Sequence, residues 1–324
     1  MVAASAQWWI AAVLRILVNQ LTQEDNLNVY RQIDMLLGGF SIKIMDDSNI
    51  PCKQHHLVDV FSCPVKKKNV LCQAIELSLK ELMQINFPAS ERNILYADCR
   101  VTLCRTETDS FRLLCLNESG NDTLWNLNFD SNFSQFEYGL SHEAIEQGDL
   151  IQLAFNRFLL QHTFINHHGL IIHAAGGSIH GKGMVFPAVS GTGKSTLSHL
   201  LLPHPENQLF SEERIIMRRT DDGWHLWGTP WKGTGVIARN ESAPLNALVF
   251  LSQAPETKIS KLPPSAALRR LLETVSIPWY SQEWTDKGLS VCESLLRDIP
   301  VFELAFRPDQ TAVQAVADLA ASLD

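Results

Sequence analysis

The densest chemistry in the chain lies in one run, Ala188-Val189-Ser190-Gly191-Thr192-Gly193-Lys194-Ser195-Thr196. Gly191 and Gly193 lack a Cβ, so the backbone there is free to curl and turn successive N–H groups toward one anion. A lysine and a hydroxyl directly after such a turn supply a point charge for the β- and γ-phosphates of a nucleotide and a ligand for Mg²⁺. Ser190, Gly191, Thr192, Gly193, Lys194, Ser195 and Thr196 are therefore the candidate ATP-binding residues, with Ser195 facing the metal. Ala188 departs from the usual pattern, since a glycine normally stands there. The bland alternative is a glycine-rich strand-to-helix turn with a chance lysine.

The flanking sequence favours the phosphate loop. Met184-Val185-Phe186-Pro187 reads as a buried strand, and the stretch from Thr196 to Leu202 as a helix stopped by Pro203. Strand, turn and helix are the context such a loop requires. The helix adds unpaired N–H groups and the positive end of its dipole.

A second group follows eighteen residues after Lys194, where Leu209-Phe210-Ser211 runs into Glu212-Glu213. An acid at the carboxyl end of a neighbouring strand is where a Walker-type site places its metal partner. Glutamate pairs are also common on surfaces. The other polar candidates read more blandly. His167-His168 is expected as a surface pair at a helix end, ahead of a C-capping Gly169. His173, inside Leu170-Ile171-Ile172-His173-Ala174-Ala175, reads on composition as a buried strand histidine. Arg269-Arg270 sits on a helix, with Glu273 spaced for an ion pair to Arg269. The glycine-rich segment from Gly228 to Gly235 is either a mobile loop over the site or a tight connection, and its Lys232 is a lesser candidate for the acceptor side.

The elements that position these groups make a mixed pattern. The spacing predicts helices from Ala6 to Leu21, over Leu71, Ile75, Leu79 and Leu82, and from Asp149 to Asn166. It predicts a strand after Gly38-Gly39, irregular chain from Ile50 to Lys68, and a meander of short strands between Arg100 and Asn128. Two short strands, 170–175 and 178–180, then lead through a hairpin into the phosphate loop. Such a hairpin differs from the doubly wound nucleotide folds, so the α/β chain is expected to carry an α+β mixed sheet with a large antiparallel part. Strands near 245–251 and 301–306, a helix over 265–275 and a closing helix complete it.

Composition narrows the class. The 324 residues allow a proper core, and the formal net charge of −8 argues against a nucleic-acid binder, which needs a basic face. Seven cysteines without zinc spacing suit buried thiols in a reducing cytoplasm. The apolar run from Trp8 to Val18 is too short to span a bilayer, so no membrane attachment is expected.

His173, the phosphate loop and Phe210-Ser211-Glu212-Glu213 together resemble the C-terminal domain of HPr kinase/phosphorylase. The segment from Trp224 through Gly228-Thr229-Pro230-Trp231 to Leu245 is similar to the HPr-kinase-related serine kinases of peptide-tailoring systems, lasso-peptide modification among them. The resemblance covers roughly residues 165–255 well, and it implies the fold shared with phosphoenolpyruvate carboxykinase. Residues 1–146, which do not resemble the N-terminal domain of HPr kinase, read as an N-terminal α+β lobe that is structural or faces the acceptor, and 147–324 as the kinase domain that the resemblance implies. The resemblance also implies a catalytic set of Glu212 as base, His173 beside the transferring phosphate and Lys194, with Mg²⁺ on Ser195 and Glu213. Glu212 stands where the family usually has Asp. The implied activity is ATP-dependent phosphorylation of a hydroxyl, a serine of a peptide or protein, and a homo-oligomer is compatible with it. The alternatives are a small-molecule kinase, a carboxykinase-like enzyme, or a nucleotide-binding accessory protein without turnover.

Overall fold

The computed structural model describes residues 32–46, 74–81, 94–97, 101–141 apart from 107, 118 and 121, 143–144, 157–231 and 237–323. The helix expected over 6–21 and the irregular stretch of 50–68 lie outside these residues.

The first half is made of strands: β1 (Gln32–Leu37), β2 (Phe40–Asp46), β3 (Ala74–Glu81), β4 (Ile94–Ala97), β5 (Val101–Arg105), β6 (Phe111–Leu116), β7 (Thr123–Phe129) and β8 (Gln135–Leu140). They form one eight-stranded sheet in the order β1-β2-β3-β8-β7-β6-β5-β4. The meander expected between Arg100 and Asn128 is its antiparallel part, β5 to β7, extended by β4 and β8. β3 pairs in parallel with both β2 and β8. It corrects the helix expected around Leu71 to Leu82. Ile75 and Leu79 fit a helical repeat, but Ile75, Leu77 and Leu79 also alternate, and the period of two prevails once parallel neighbours are available on both sides.

The second half contains α1 (Arg157–Asn166), β9 (Gly169–Ile179), β10 (Lys182–Pro187), α2 (Lys194–Leu201), β11 (Asn207–Ser211), β12 (Arg214–Thr220), β13 (Gly223–Trp227) and β14 (Ser242–Gln253). It continues with β15 (Lys258–Lys261), α3 (Pro264–Leu272), α4 (Gln282–Asp298), β16 (Val301–Phe306) and α5 (Gln310–Ser322). Among the described residues these strands build a second, mixed sheet, so the chain is a mixed α/β protein rich in antiparallel pairing. Two long strands organise it. β9 pairs with β12 through its first residues, up to His173, and with β10 from Ala174 onward. β14 pairs antiparallel with β13, then in parallel with β10 and β16.

One continuous β9 replaces the two short strands expected there. Its glycines explain why the run is not broken: β11 crosses so close that a Cβ on Gly177 would lie 2.1 Å from the Gln208 carbonyl oxygen. The end of α1 is also a correction. His168, with φ of +57°, takes the left-handed turn, and Gly169 already belongs to β9.

Helices cover both faces of the second sheet. Leu248 and Phe250 of β14 face a core with α3 and α4, whereas Ala247, Val249 and Leu251 face a core with α2 and α5. A third core joins the halves: Phe40, Leu113, Phe129 and Tyr138 pack with Phe164 of α1 and Trp284 of α4. Arg218 adds a polar tie, donating to the Gly38 carbonyl at 3.0 Å while its guanidinium lies over the Phe40 ring. No helix among the described residues is long and apolar enough to cross a membrane.

Candidate functional site

The loop after β10 has the backbone that its sequence demands. Gly191 and Gly193 sit at φ of +85° and +107°, a region costly to any residue with a side chain. The first bond of α2 runs from Leu197 N–H to the Gly193 carbonyl, so the N–H groups of Lys194, Ser195 and Thr196 precede the helical ladder. Gln253, at the carboxyl end of β14, steadies the loop by donating from Nε2 to the Gly191 carbonyl at 2.9 Å. Phe306, at the end of β16, closes the space beside Gly193, where a Cβ would meet its ring at 2.8 Å. Ser190, Gly191 and Thr196 are exposed, Thr192, Gly193 and Ser195 are half-buried, and Lys194 is buried.

Strand pairing delivers the other groups. His173 stands opposite Arg214 in the β9–β12 register, and the Ala174 N–H donates to the Glu213 carbonyl at 3.2 Å. The His173 carbonyl accepts from Ala188 N–H, at the entrance to the loop. Three adjacent segments therefore end at one place: the loop strand, the middle of β9 and the bend between β11 and β12. That bend is fixed by Ser211, fully buried, whose Oγ accepts the N–H groups of Glu213 and Arg214 at 3.3 Å each. Thr229 supports it from below, donating from Oγ1 to the Arg214 carbonyl at 2.7 Å.

Side chains complete the arrangement. Lys194 Nζ lies 2.8 Å from His173 Nε2, and His173 Nδ1 lies 3.4 Å from Glu213 Oε1. Burial lowers Lys194 to about 8, against the opposing pull of the Glu213 charge. The two glutamates are tuned in opposite directions. Burial pushes the Glu212 carboxyl above its ordinary value, only partly offset by the charges of His199 and Lys194. Burial pushes Glu213 up as well, but the His173 ring and the charges of Lys194 and Arg214 outweigh it and hold the group below the usual range.

Glu212 Oε2 is buried without a hydrogen-bond partner, whereas Glu213 Oε1 has the 3.4 Å contact to His173 Nδ1. Leaving such an acceptor unpaired costs roughly 1–3 kcal/mol, so the Glu212 oxygen points to something that it receives. Among the described residues no group of three or more His, Cys, Asp or Glu side chains is arranged to hold a metal ion. A small divalent cation bound through one carboxylate, one hydroxyl and the oxygens of a phosphate ligand needs no such cage. The donor set of Ser195 and Glu213 beside two left-handed glycines fits ATP with Mg²⁺.

Other candidates end elsewhere. Arg270 donates to Glu303 Oε1 at 2.5 Å and to the Leu251 carbonyl at 2.7 Å, so it is tied across to β16 and β14. His167 is half-buried with its ring 5.1 Å from that of Phe40, and burial lowers it, so only His168 is a surface residue. Lys232 lies outside the described residues. Gln253, Phe306, Ser211 and Thr229 are the supporting residues that the motif did not reveal. Gln253 and Phe306 are recognisable only once β14 and β16 are known to lie parallel beyond the loop strand.

A family model described as SynChlorMet cassette protein ScmC matches residues 144–305, half of the chain. The matched part contains the glycine loop after β10, His173 and both glutamates. None of the curated proteins matches the chain.

Proposed function

The chain belongs to the family of SynChlorMet cassette protein ScmC, and from that premise we propose that it is an ATP-dependent phosphotransferase. Its acceptor in this reading is a hydroxyl, that of a serine in a peptide or protein. The fold we assign is the phosphoenolpyruvate-carboxykinase-like phosphate-loop fold of the HPr-kinase-like enzymes, because a hairpin, not a helix crossover, feeds the loop strand. One observation carries the reading: a buried lysine at the start of α2 and two buried glutamates, Glu212 with an unpaired oxygen, converge beside two left-handed glycines.

The roles follow from charge and position. The N–H groups from Gly191 to Thr196 would bind the β- and γ-phosphates, and Lys194 would neutralise them. Ser195 and Glu213, the latter ionised at neutral pH by its cationic surroundings, would hold Mg²⁺. Bound Mg²⁺ supplies charge neutralisation along the phosphates. Glu212 would take the acceptor proton, and a carboxyl raised above its ordinary value suits a base working near neutrality. The acceptor oxygen bonds to the γ-phosphorus while the bridging P–O bond breaks, ADP leaves, and the proton rests on Glu212. His173 assists by orienting its neighbours. Buried thiols at Cys104, Cys115 and Cys292 favour a reducing cytoplasm as the site of action.

The test is incubation of the intact protein with Mg²⁺–ATP and serine-containing peptides, among them any precursor encoded beside the gene, read by mass spectrometry. A phosphopeptide and ADP in equal amounts are expected. Transfer to metabolites and to no peptide would favour the small-molecule kinase, and ATP binding without any transfer would favour the accessory protein.

A further inference from the structure

We propose that His173 is a positioning residue that stores Lys194 in the nucleotide-free protein and restrains Glu213 with the same ring. The lysine thus has to leave the imidazole before it can serve a phosphate. This rests on the reading of the loop as a nucleotide site.

The geometry is specific. Lys194 Nζ carries only donors, so at 2.8 Å it makes His173 Nε2 the acceptor. The ring proton then sits on Nδ1, which faces Glu213 Oε1 at 3.4 Å. One neutral ring is thereby pinned between a cation and an anion. The backbone of His173 is fixed on both sides as well, its N–H donating to the Thr274 carbonyl at 2.9 Å and its carbonyl accepting from Ala188. The backbone of His173 keeps its place when the lysine leaves, because these backbone bonds do not involve the Lys194 side chain. A phosphate entering the loop competes with His173 for Nζ. Departure of the lysine frees Nε2 and leaves Glu213 as the partner of the ring alone.

The affinity of the free protein for nucleotide is therefore reduced by the fraction of molecules in which the lysine is stored. Removing the ring lifts that restraint but loses the orienting contact on Glu213. A residue needed only for packing would weaken both binding and turnover.

The experiment is calorimetric titration of ATP without divalent metal into the full chain, its His173→Ala variant and its His173→Gln variant, each first shown to keep its unfolding transition. Tighter binding by about tenfold is expected for His173→Ala, the scale of one charge-assisted hydrogen bond, together with slower phosphotransfer at saturating Mg²⁺–ATP. His173→Gln keeps an acceptor and a donor on one side chain and is expected to return both properties toward the parent; should His173→Ala unfold, tighter binding in His173→Phe, which keeps a ring but no acceptor for Lys194, replaces it. Unchanged or weaker ATP binding in a folded His173→Ala protein would overturn the proposal, since Glu213 or the loop itself would then be holding the lysine. Absence of ATP binding by the parent chain would remove the nucleotide site instead.

Discussion

Glu212 and Glu213 are neighbours in the chain, yet the fold raises the first carboxyl and lowers the second. The difference lies in what each meets at the bend after β11. Glu213 turns toward His173, Lys194 and Arg214, whereas Glu212 gains too little positive charge from His199 and Lys194 to offset its burial.

The first prediction follows from the opposite signs. A carboxyl raised by folding contributes stability that is complete below its unfolded value and lost as pH rises through the folded value. Glu212 is thus a liability at neutral pH, and Glu212→Gln is expected to raise the midpoint of thermal unfolding there. Glu213, lowered by folding, contributes stability above its unfolded value and loses it as pH falls through the folded one. Glu213→Gln is expected to lower the neutral midpoint, and the two variants should approach each other in acid. Calorimetric scans from pH 3 to about 8 read both.

A separate pH window belongs to Lys194. Folding lowers it from 10.5 to about 8, so the unfolded chain binds the extra proton between those values. Stability is therefore expected to rise as pH increases from about 8 toward 10.5. In Lys194→Met that rise should be missing, and chemical denaturation at several alkaline pH values would show whether it is.

Gly193 offers a test of the loop backbone. A side chain at φ of +107° is strained by roughly 1–2 kcal/mol, and its Cβ would meet the Phe306 ring. Gly193→Ala is expected to lose stability and ATP affinity together. Gly193→Ala with Phe306→Leu should recover some of the stability and little of the affinity, because the relieved contact leaves the dihedral strain in place. Denaturation midpoints and ATP titrations of the two variants separate these effects.

The joint between the halves gives a fourth prediction. Leu159, Leu160, Phe164 and Trp284 are nearly inaccessible to solvent in a core completed by β2 and β5 to β8. A chain beginning at residue 147 would expose them, at about 1.5–3 kcal/mol for each large side chain. That sum is comparable with the stability of a whole domain. The truncated chain is expected to aggregate or to lose its cooperative transition, whereas a cooperative transition with native ATP binding would show that the second half stands alone.

What could be read from the residues divides along physical lines. The glycine turn between β10 and α2 was legible because its requirements are local: two glycines for left-handed dihedrals, a lysine and a hydroxyl at the start of a helix. The hairpin β9–β10 and the meander were legible for the same reason, from turn residues between apolar runs. β3 was not, because Ile75 and Leu79 satisfy two periods and only its partners β2 and β8 decide between them. α4 was not expected at all, although Trp284, Gly288, Val291, Cys292 and Leu295 share one face, and nothing near it suggests that Trp284 closes one core and Leu295 another. Within the site, the acid pair stood out by position. The link from Lys194 to His173 depended on strand register across a sequence separation of 21, which no local spacing encodes.

The most direct test of the central claim is a titration of the intact protein with Mg²⁺–ATP, beside its Lys194→Ala variant, with phosphotransfer measured in the same samples. Saturable binding is expected in the parent chain, and a loss of transfer of order 10²–10³-fold in a variant that keeps its unfolding transition. Parent protein that binds no ATP, or a folded Lys194→Ala protein that transfers phosphate at the parental rate, would contradict it.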